Sequence, residues 1–143
     1  MITEDYISFE TAKLLKEKGF NEPCHALYHD GEDKIFFGLD EDSYLNSILN
    51  VDCYACPTLQ MARKWLRKRH NLHIEIRITN HSISSMVNVI KYYWVMCDTE
   101  TGRWCDESTV YTVKAFDTPE EAEEDAIKHA IENLTQKDSN PSI

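Results

Sequence analysis

The sequence predicts an α+β fold, a single domain in which an antiparallel sheet, made of a hairpin and a three-stranded meander, carries helices on one face. Segments with apolar residues at helical spacing are interspersed with segments in which apolar and polar residues alternate. Several helical segments also begin or end with capping residues. A length of 143 residues and a hydrophobic content of 42% suit one continuous core. We expect the order α-β-β-α-β-β-β-α, with residues 1–135 forming the domain and residues 136–143 a flexible tail.

The first helix is predicted to begin after Ser8, whose hydroxyl can accept a hydrogen bond from a backbone N–H of the first turn. Gly19 is expected to end the helix in a left-handed conformation, with Phe20 packing back against it. The helix is therefore bounded by local chemistry at both ends.

A hairpin is predicted next. Two short apolar runs, at residues 24–28 and 35–39, are separated by a polar stretch that contains Asp30-Gly31, a pair that favours tight turns. Residues 40–56 contain apolar side chains but no clear cap, and they are interpreted either as a short helix or as an irregular connection.

The second helix is predicted to start with Thr58 as its N-cap. Its apolar face is expected to consist of Leu59, Ala62, Trp65 and Leu66. In residues 72–79, isoleucines alternate with polar residues, which is the pattern of a strand in a sheet covered on one face. We expect the helix to cover this sheet, with Trp65 buried against the strand.

Two more strands, at residues 87–98 and 103–116, are predicted to complete the meander around a turn at residues 99–102. The last helix has the strongest local signal in the chain. Thr118 is placed as its N-cap, Pro119 as its first residue, and Glu121 where it can close a capping box.

Composition limits the location and the partners. The chain has 15 Lys and Arg against 25 Asp and Glu, a formal net charge of -10 that repels nucleic acid at long range. No apolar run approaches the roughly 20 residues of a membrane-spanning helix, and the acidic residues 1–5 lack signal-peptide features. We therefore expect a cytoplasmic protein without membrane association. Its five cysteines, an odd number, are expected to be reduced.

Three segments, taken together, carry a resemblance to a known family. They are residues 8–20 (SFETAKLLKEKGF), Pro57-Thr58 with residues 64–67 (KWLR), and residues 116–122 (FDTPEEA). The chain resembles, over nearly its whole length, a family of small uncharacterised proteins encoded by phages and prophages of Bacteroides-type gut bacteria. The resemblance implies a phage or prophage context, and hence a bacterial host cytoplasm, but no catalytic or binding residue. The cysteines lie outside the shared pattern.

The cysteines suggest two chemistries, which we weigh and disfavour. Cys53 and Cys56 have the spacing of half a zinc site, and Cys97 with Cys105 would have to supply the other half. The second pair is separated by seven residues rather than two, which argues against such a site. A CxxC before a helix also matches redox motifs, but the parallel crossover typical of those proteins is missing. We predict no metal and no cofactor.

No pattern predicts an enzyme. The six histidines lack metal-binding or catalytic spacing, and most of them are predicted to face solvent: His25, His29, His70, His73, His81 and His129. The chain has no nucleophile elbow and no paired-carboxylate motif, and four glycines make a phosphate-binding loop improbable. We therefore expect no catalytic residues and no small-molecule substrate.

Two surfaces remain as candidates. Aromatic residues of the meander are predicted to lie on the sheet face that the helices leave exposed and to bind a protein partner or a second copy: Tyr92, Trp94, Trp104 and Tyr111. The alternative is nucleic-acid binding by the basic face of the second helix: Arg63, Lys64, Arg67 and Lys68. We favour a non-enzymatic phage or prophage accessory protein that acts through protein–protein contact.

Overall fold

A computed structural model describes residues 1–38, 43–84, 87–108 and 115–134. Within these ranges the elements are α1 (Phe9–Glu17), β1 (Ala26–His29), β2 (Phe36–Phe37), β3 (Cys53–Ala55), α2 (Leu59–His70), β4 (Leu72–Ser84), β5 (Val87–Asp98), β6 (Arg103–Glu107) and α3 (Pro119–Asn133). The predicted α+β class is confirmed, and the order agrees except for the added strand β3. The strands form two three-stranded antiparallel sheets, β2-β1-β3 and β4-β5-β6, rather than one.

The chain divides into two compact units, which are described separately. The first unit contains Met1–Ala62 and the chain from Lys128 onward, and the second contains Arg63–Ile127. The domain boundary expected at residue 135 stays a prediction, because residues 135–143, and with them the expected tail, lie outside the described part of the chain.

Both ends of α1 form as its sequence predicts. The Ser8 hydroxyl accepts a hydrogen bond from the Thr11 N–H at 3.3 Å, which satisfies one of the unpaired donors of the first turn. Gly19 has a φ of 88°, and the Phe20 N–H donates to the Leu15 carbonyl at 2.9 Å, the hydrogen bond of a Schellman ending. Phe20 is almost completely buried.

The first sheet has β1 at its centre. Leu27 lies opposite Phe36, which confirms the predicted hairpin, and His29 lies opposite Cys53 on the other side. The interpretation of residues 40–56 as a short helix is wrong for the described part, because residues 43–56 contain turns and β3. Strand β3 forms through its pairing with β1, which lies more than twenty residues earlier.

The second sheet is the predicted meander. Strands β4 and β5 pair along their whole length, from Leu72 opposite Asp98 to Ser84 opposite Val87, and β6 pairs with the end of β5. Of the third strand predicted at residues 103–116, β6 covers Arg103–Glu107, Phe116 pairs with Tyr92, and residues 109–114 lie outside the described ranges.

One side of this meander, which we call the inner face, faces helices. Residues opposite each other in an antiparallel pair share a face, so Ile74, Met96 and Trp94 lie together there, and each is at most 2% exposed. The Trp94 indole N–H donates to Asp125 Oδ2 of α3 at 2.8 Å. Arg63 of α2 donates to the Ile74 carbonyl oxygen. Parts of α2 and α3 therefore cover this face.

The starts of α2 and α3 are also confirmed. The Thr58 hydroxyl accepts from the Met61 N–H at 3.2 Å, and the Thr118 hydroxyl accepts from the Glu121 N–H at 3.1 Å. Trp65 is buried, as predicted, with its ring centroid 4.7 Å from that of His70. None of the helices in the described ranges is long and apolar enough to cross a membrane.

Candidate protein interface on the outward face of the meander

The side of the meander opposite the inner face, which we call the outward face, carries an exposed tryptophan. Arg77 lies opposite Tyr93, and Cys97 lies opposite Trp104, so these four side chains share a face that alternates with the residues under the helices. Trp104 is 54% exposed, although it is one of the largest apolar side chains in the protein. Single exposed apolar side chains are common on protein surfaces, but Trp104 shares its face with Tyr93 and Arg77, two other residue types that are enriched at interfaces.

Arg77 holds this part of the outward face together. Its guanidinium carbon lies 4.8 Å from the centre of the Trp104 ring, within cation–π range. Its Nε donates to Glu75 Oε1 at 2.8 Å, and it also hydrogen-bonds the Tyr93 side chain. The hydrogen bond to Arg77 lowers the pKa of Glu75, and the same bond raises the pKa of Arg77. Both groups are therefore ionised at neutral pH.

This arrangement suits protein recognition. Trp, Tyr and Arg are the residue types that supply most of the energy at protein interfaces. Because Arg77 is already held by Glu75, Tyr93 and Trp104, less conformational freedom is lost when a partner binds. The cluster offers an aromatic surface and both signs of charge, but no nucleophile paired with a base.

The predicted set of interface aromatics is only partly right in its placement. Trp94 lies on the inner face with 1% exposure and a hydrogen bond to Asp125, so the prediction that it faces outward is wrong. Tyr92 shares the inner face with Trp94 and is half-buried. Trp104 is on the exposed side, as predicted. Tyr111 lies outside the described residues.

The inner face has an exposed end that sequence reasoning did not single out. Ile78 and Ile90 are 65% and 56% exposed and lie on the same face as Trp94. The alternation of isoleucines along the strand was visible in the sequence, but it does not show where a covering helix stops.

The four basic residues predicted to bind nucleic acid differ in exposure and in their contacts. Arg63 is bound to Glu123 Oε1 at 3.3 Å and to the Ile74 carbonyl, so it is used within its own unit. Lys64, Arg67 and Lys68 are exposed, as the alternative prediction requires.

The five cysteines form no disulfide, and the surroundings of Cys24, Cys53 and Cys105 raise the pKa of each thiol. Cys53 Sγ lies 3.3 Å from His29 Nδ1, a contact between β3 and β1 that sequence reasoning missed because it treated His29 as solvent-facing. Burial and the neighbouring Asp52 raise the pKa of Cys53, so it is a thiol rather than a nucleophilic thiolate at neutral pH. Burial, with Glu22, raises the pKa of Cys24 to about 12. Among the described residues, no three His, Cys, Asp or Glu side chains are placed to hold a metal ion.

Comparisons of the chain with protein-family models, with curated proteins and with solved structures find no match.

Proposed function

We propose that this protein is non-enzymatic and acts through protein–protein contact made by the outward face of the meander. The observation that carries the proposal is the exposed Trp104 held beneath Arg77. The phage or prophage context, and the bacterial cytoplasm with it, belongs to the same proposal and rests on the resemblance of the three sequence segments.

The chemistry of the described residues supports contact better than catalysis. Cys53 does lie beside a base, His29, but the pKa of that thiol is raised. Activation of a cysteine requires the opposite shift. By contrast, the outward face presents residues that bind partners without any chemical step.

Photo-cross-linking in bacterial cells tests the proposal. The photoreactive residue p-benzoylphenylalanine replaces Trp104 in one variant and Ile48, an exposed apolar residue of the other unit, in a matched control. We expect a discrete cross-linked protein band from position 104 and none from position 48. Equal diffuse labelling from both positions would refute the proposed interface.

Nucleic-acid binding is the second candidate, favoured by the exposure of Lys64, Arg67 and Lys68. Arg63 is engaged elsewhere, and the net charge of -10 opposes binding. We expect negligible affinity for mixed-sequence DNA or RNA at physiological salt. Micromolar binding that falls steeply with salt, and that is abolished by Lys64→Glu with Arg67→Glu, would make this the better function.

A further inference from the structure

We propose that the partner of the outward face is a second copy of this chain, bound through the same face to give a two-fold symmetric, reversible dimer. This inference rests on the proposed function and names its partner. A two-fold contact is isologous, so the face must be complementary to itself.

The charges of the outward face meet this condition. Its described charged residues are three carboxylates and two cations, close to balance: Glu75, Glu107, Asp117, Arg77 and Lys91, with Lys91 paired to Asp117. The chain as a whole has a net charge of -10, so this face is far less acidic than the rest of the molecule. A strongly basic partner would be drawn to the more acidic regions instead, whereas a face this close to neutral tolerates a second copy of itself.

The two-fold relation also gives Glu107 an oppositely charged partner in the other copy. Glu107 is exposed on β6, and Arg77 lies on β4. Strand β5 separates these two strands in the sheet. When two such faces meet about a two-fold axis, Arg77 of one copy can approach Glu107 of the other, and the exchange occurs twice. The two Trp104 rings then lie within the area between the sheets, where aromatic side chains contribute most.

The size of the face predicts how strong the dimer is. Strands of about 12 residues at roughly 3.4 Å per residue are about 40 Å long, and two to three strands spaced by about 4.8 Å are roughly 10–14 Å wide. The face therefore offers on the order of 500 Å² per copy, below the roughly 800 Å² of a standard stable interface. We expect an association that is reversible with concentration and not a permanent dimer. Long-range repulsion between the acidic copies is largely screened at physiological salt, where the Debye length is about 8 Å.

Sedimentation velocity over a wide range of protein concentration tests the dimer. Wild type is expected to pass from monomer to dimer, and Trp104→Ala is expected to weaken the association at least about tenfold, as for loss of an interface hot spot. Ile78→Ala is the matched control, since Ile78 is similarly exposed on the opposite face of the same sheet, and it should change the dissociation constant by less than about twofold. A wild type that stays monomeric, or a dimer weakened by Ile78→Ala and not by Trp104→Ala, would overturn the inference.

Charge exchange gives a stricter test. Arg77→Glu and Glu107→Arg are each expected to weaken self-association, because each puts like charges together across the two-fold axis. An equimolar mixture of the two variants restores opposite charges at both contacts and should associate more tightly than either variant alone. A mixture no tighter than its components would contradict the two-fold arrangement.

The cross-linking experiment separates failure of this inference from failure of the proposed function. A product from position 104 with twice the mass of the chain, containing only its peptides, supports the dimer. A product that contains another protein would support the interface but would show that its partner is not a second copy of this chain. No discrete product from position 104 would overturn both.

Discussion

From the hydrogen bond between Trp94 and Asp125 we can predict how much Trp94 contributes to the free energy of unfolding. Trp94 is 1% exposed, and its indole N–H donates to a carboxylate oxygen at 2.8 Å. Trp94→Phe removes a hydrogen bond to a charged group, worth about 1.5–3 kcal/mol. The smaller ring leaves a cavity that adds about 1 kcal/mol. We therefore expect the free energy of unfolding to fall by about 2.5–4 kcal/mol.

Urea unfolding, followed by far-ultraviolet circular dichroism, measures this cost. Trp104→Phe is the matched control, and it should stay within about 0.5 kcal/mol of wild type because Trp104 is exposed. Asp125→Ala should destabilise the wild type but have little further effect in the Trp94→Phe background, since the two residues share one interaction. If Trp94→Phe cost no more than the control, the assignment of Trp94 to the covered face would be refuted.

Three further predictions concern other parts of the chain. Thr118→Ala should lower the free energy of unfolding by about 1 kcal/mol in the same urea assay, because it removes the N-cap acceptor of α3, and an unchanged midpoint would contradict the cap. Trp65→Ala should cost about 3–5 kcal/mol because Trp65 is buried, and retention of wild-type stability would show that its site is not packed. In the native protein a thiol reagent should modify the exposed Cys105 first and Cys24 last. Burial raises the pKa of Cys24 to about 12, so the folded protein favours the protonated thiol. The stability that this preference gives is complete below the ordinary thiol pKa and is lost as the pH rises toward 12. Mass spectrometry shows the order of modification, and modification of Cys24 before Cys105 would contradict the described burial.

The parts of the fold that depend on local chemistry were predictable from the sequence. Ser8, Thr58 and Thr118 accept hydrogen bonds from the first turns of their helices, and Gly19 takes the left-handed conformation that ends α1. Each of these features depends on a few neighbouring residues. The alternation in β4 was equally clear because isoleucine and polar residues follow each other without exception over several positions.

The parts that depend on distant residues were not predictable in the same way. Strand β3 has three residues and forms only because β1 is beside it, so nothing in its own sequence marks it as a strand. The run around Trp94 has bulky side chains on both faces, and the alternation alone does not say which face the helices cover. The turn at residues 99–102 sets Trp104 opposite Cys97, which separates it from the face of Trp94. The Arg77 contacts of the outward face likewise depend on the register of three strands.

Cross-linking from position 104 is the decisive measurement, because it records what touches the outward face inside a cell. We expect a discrete product from position 104, absent from position 48, that consists of two copies of this chain. Labelling that is diffuse, or equal at the two positions, would contradict the claim that Trp104 and Arg77 mark an interface.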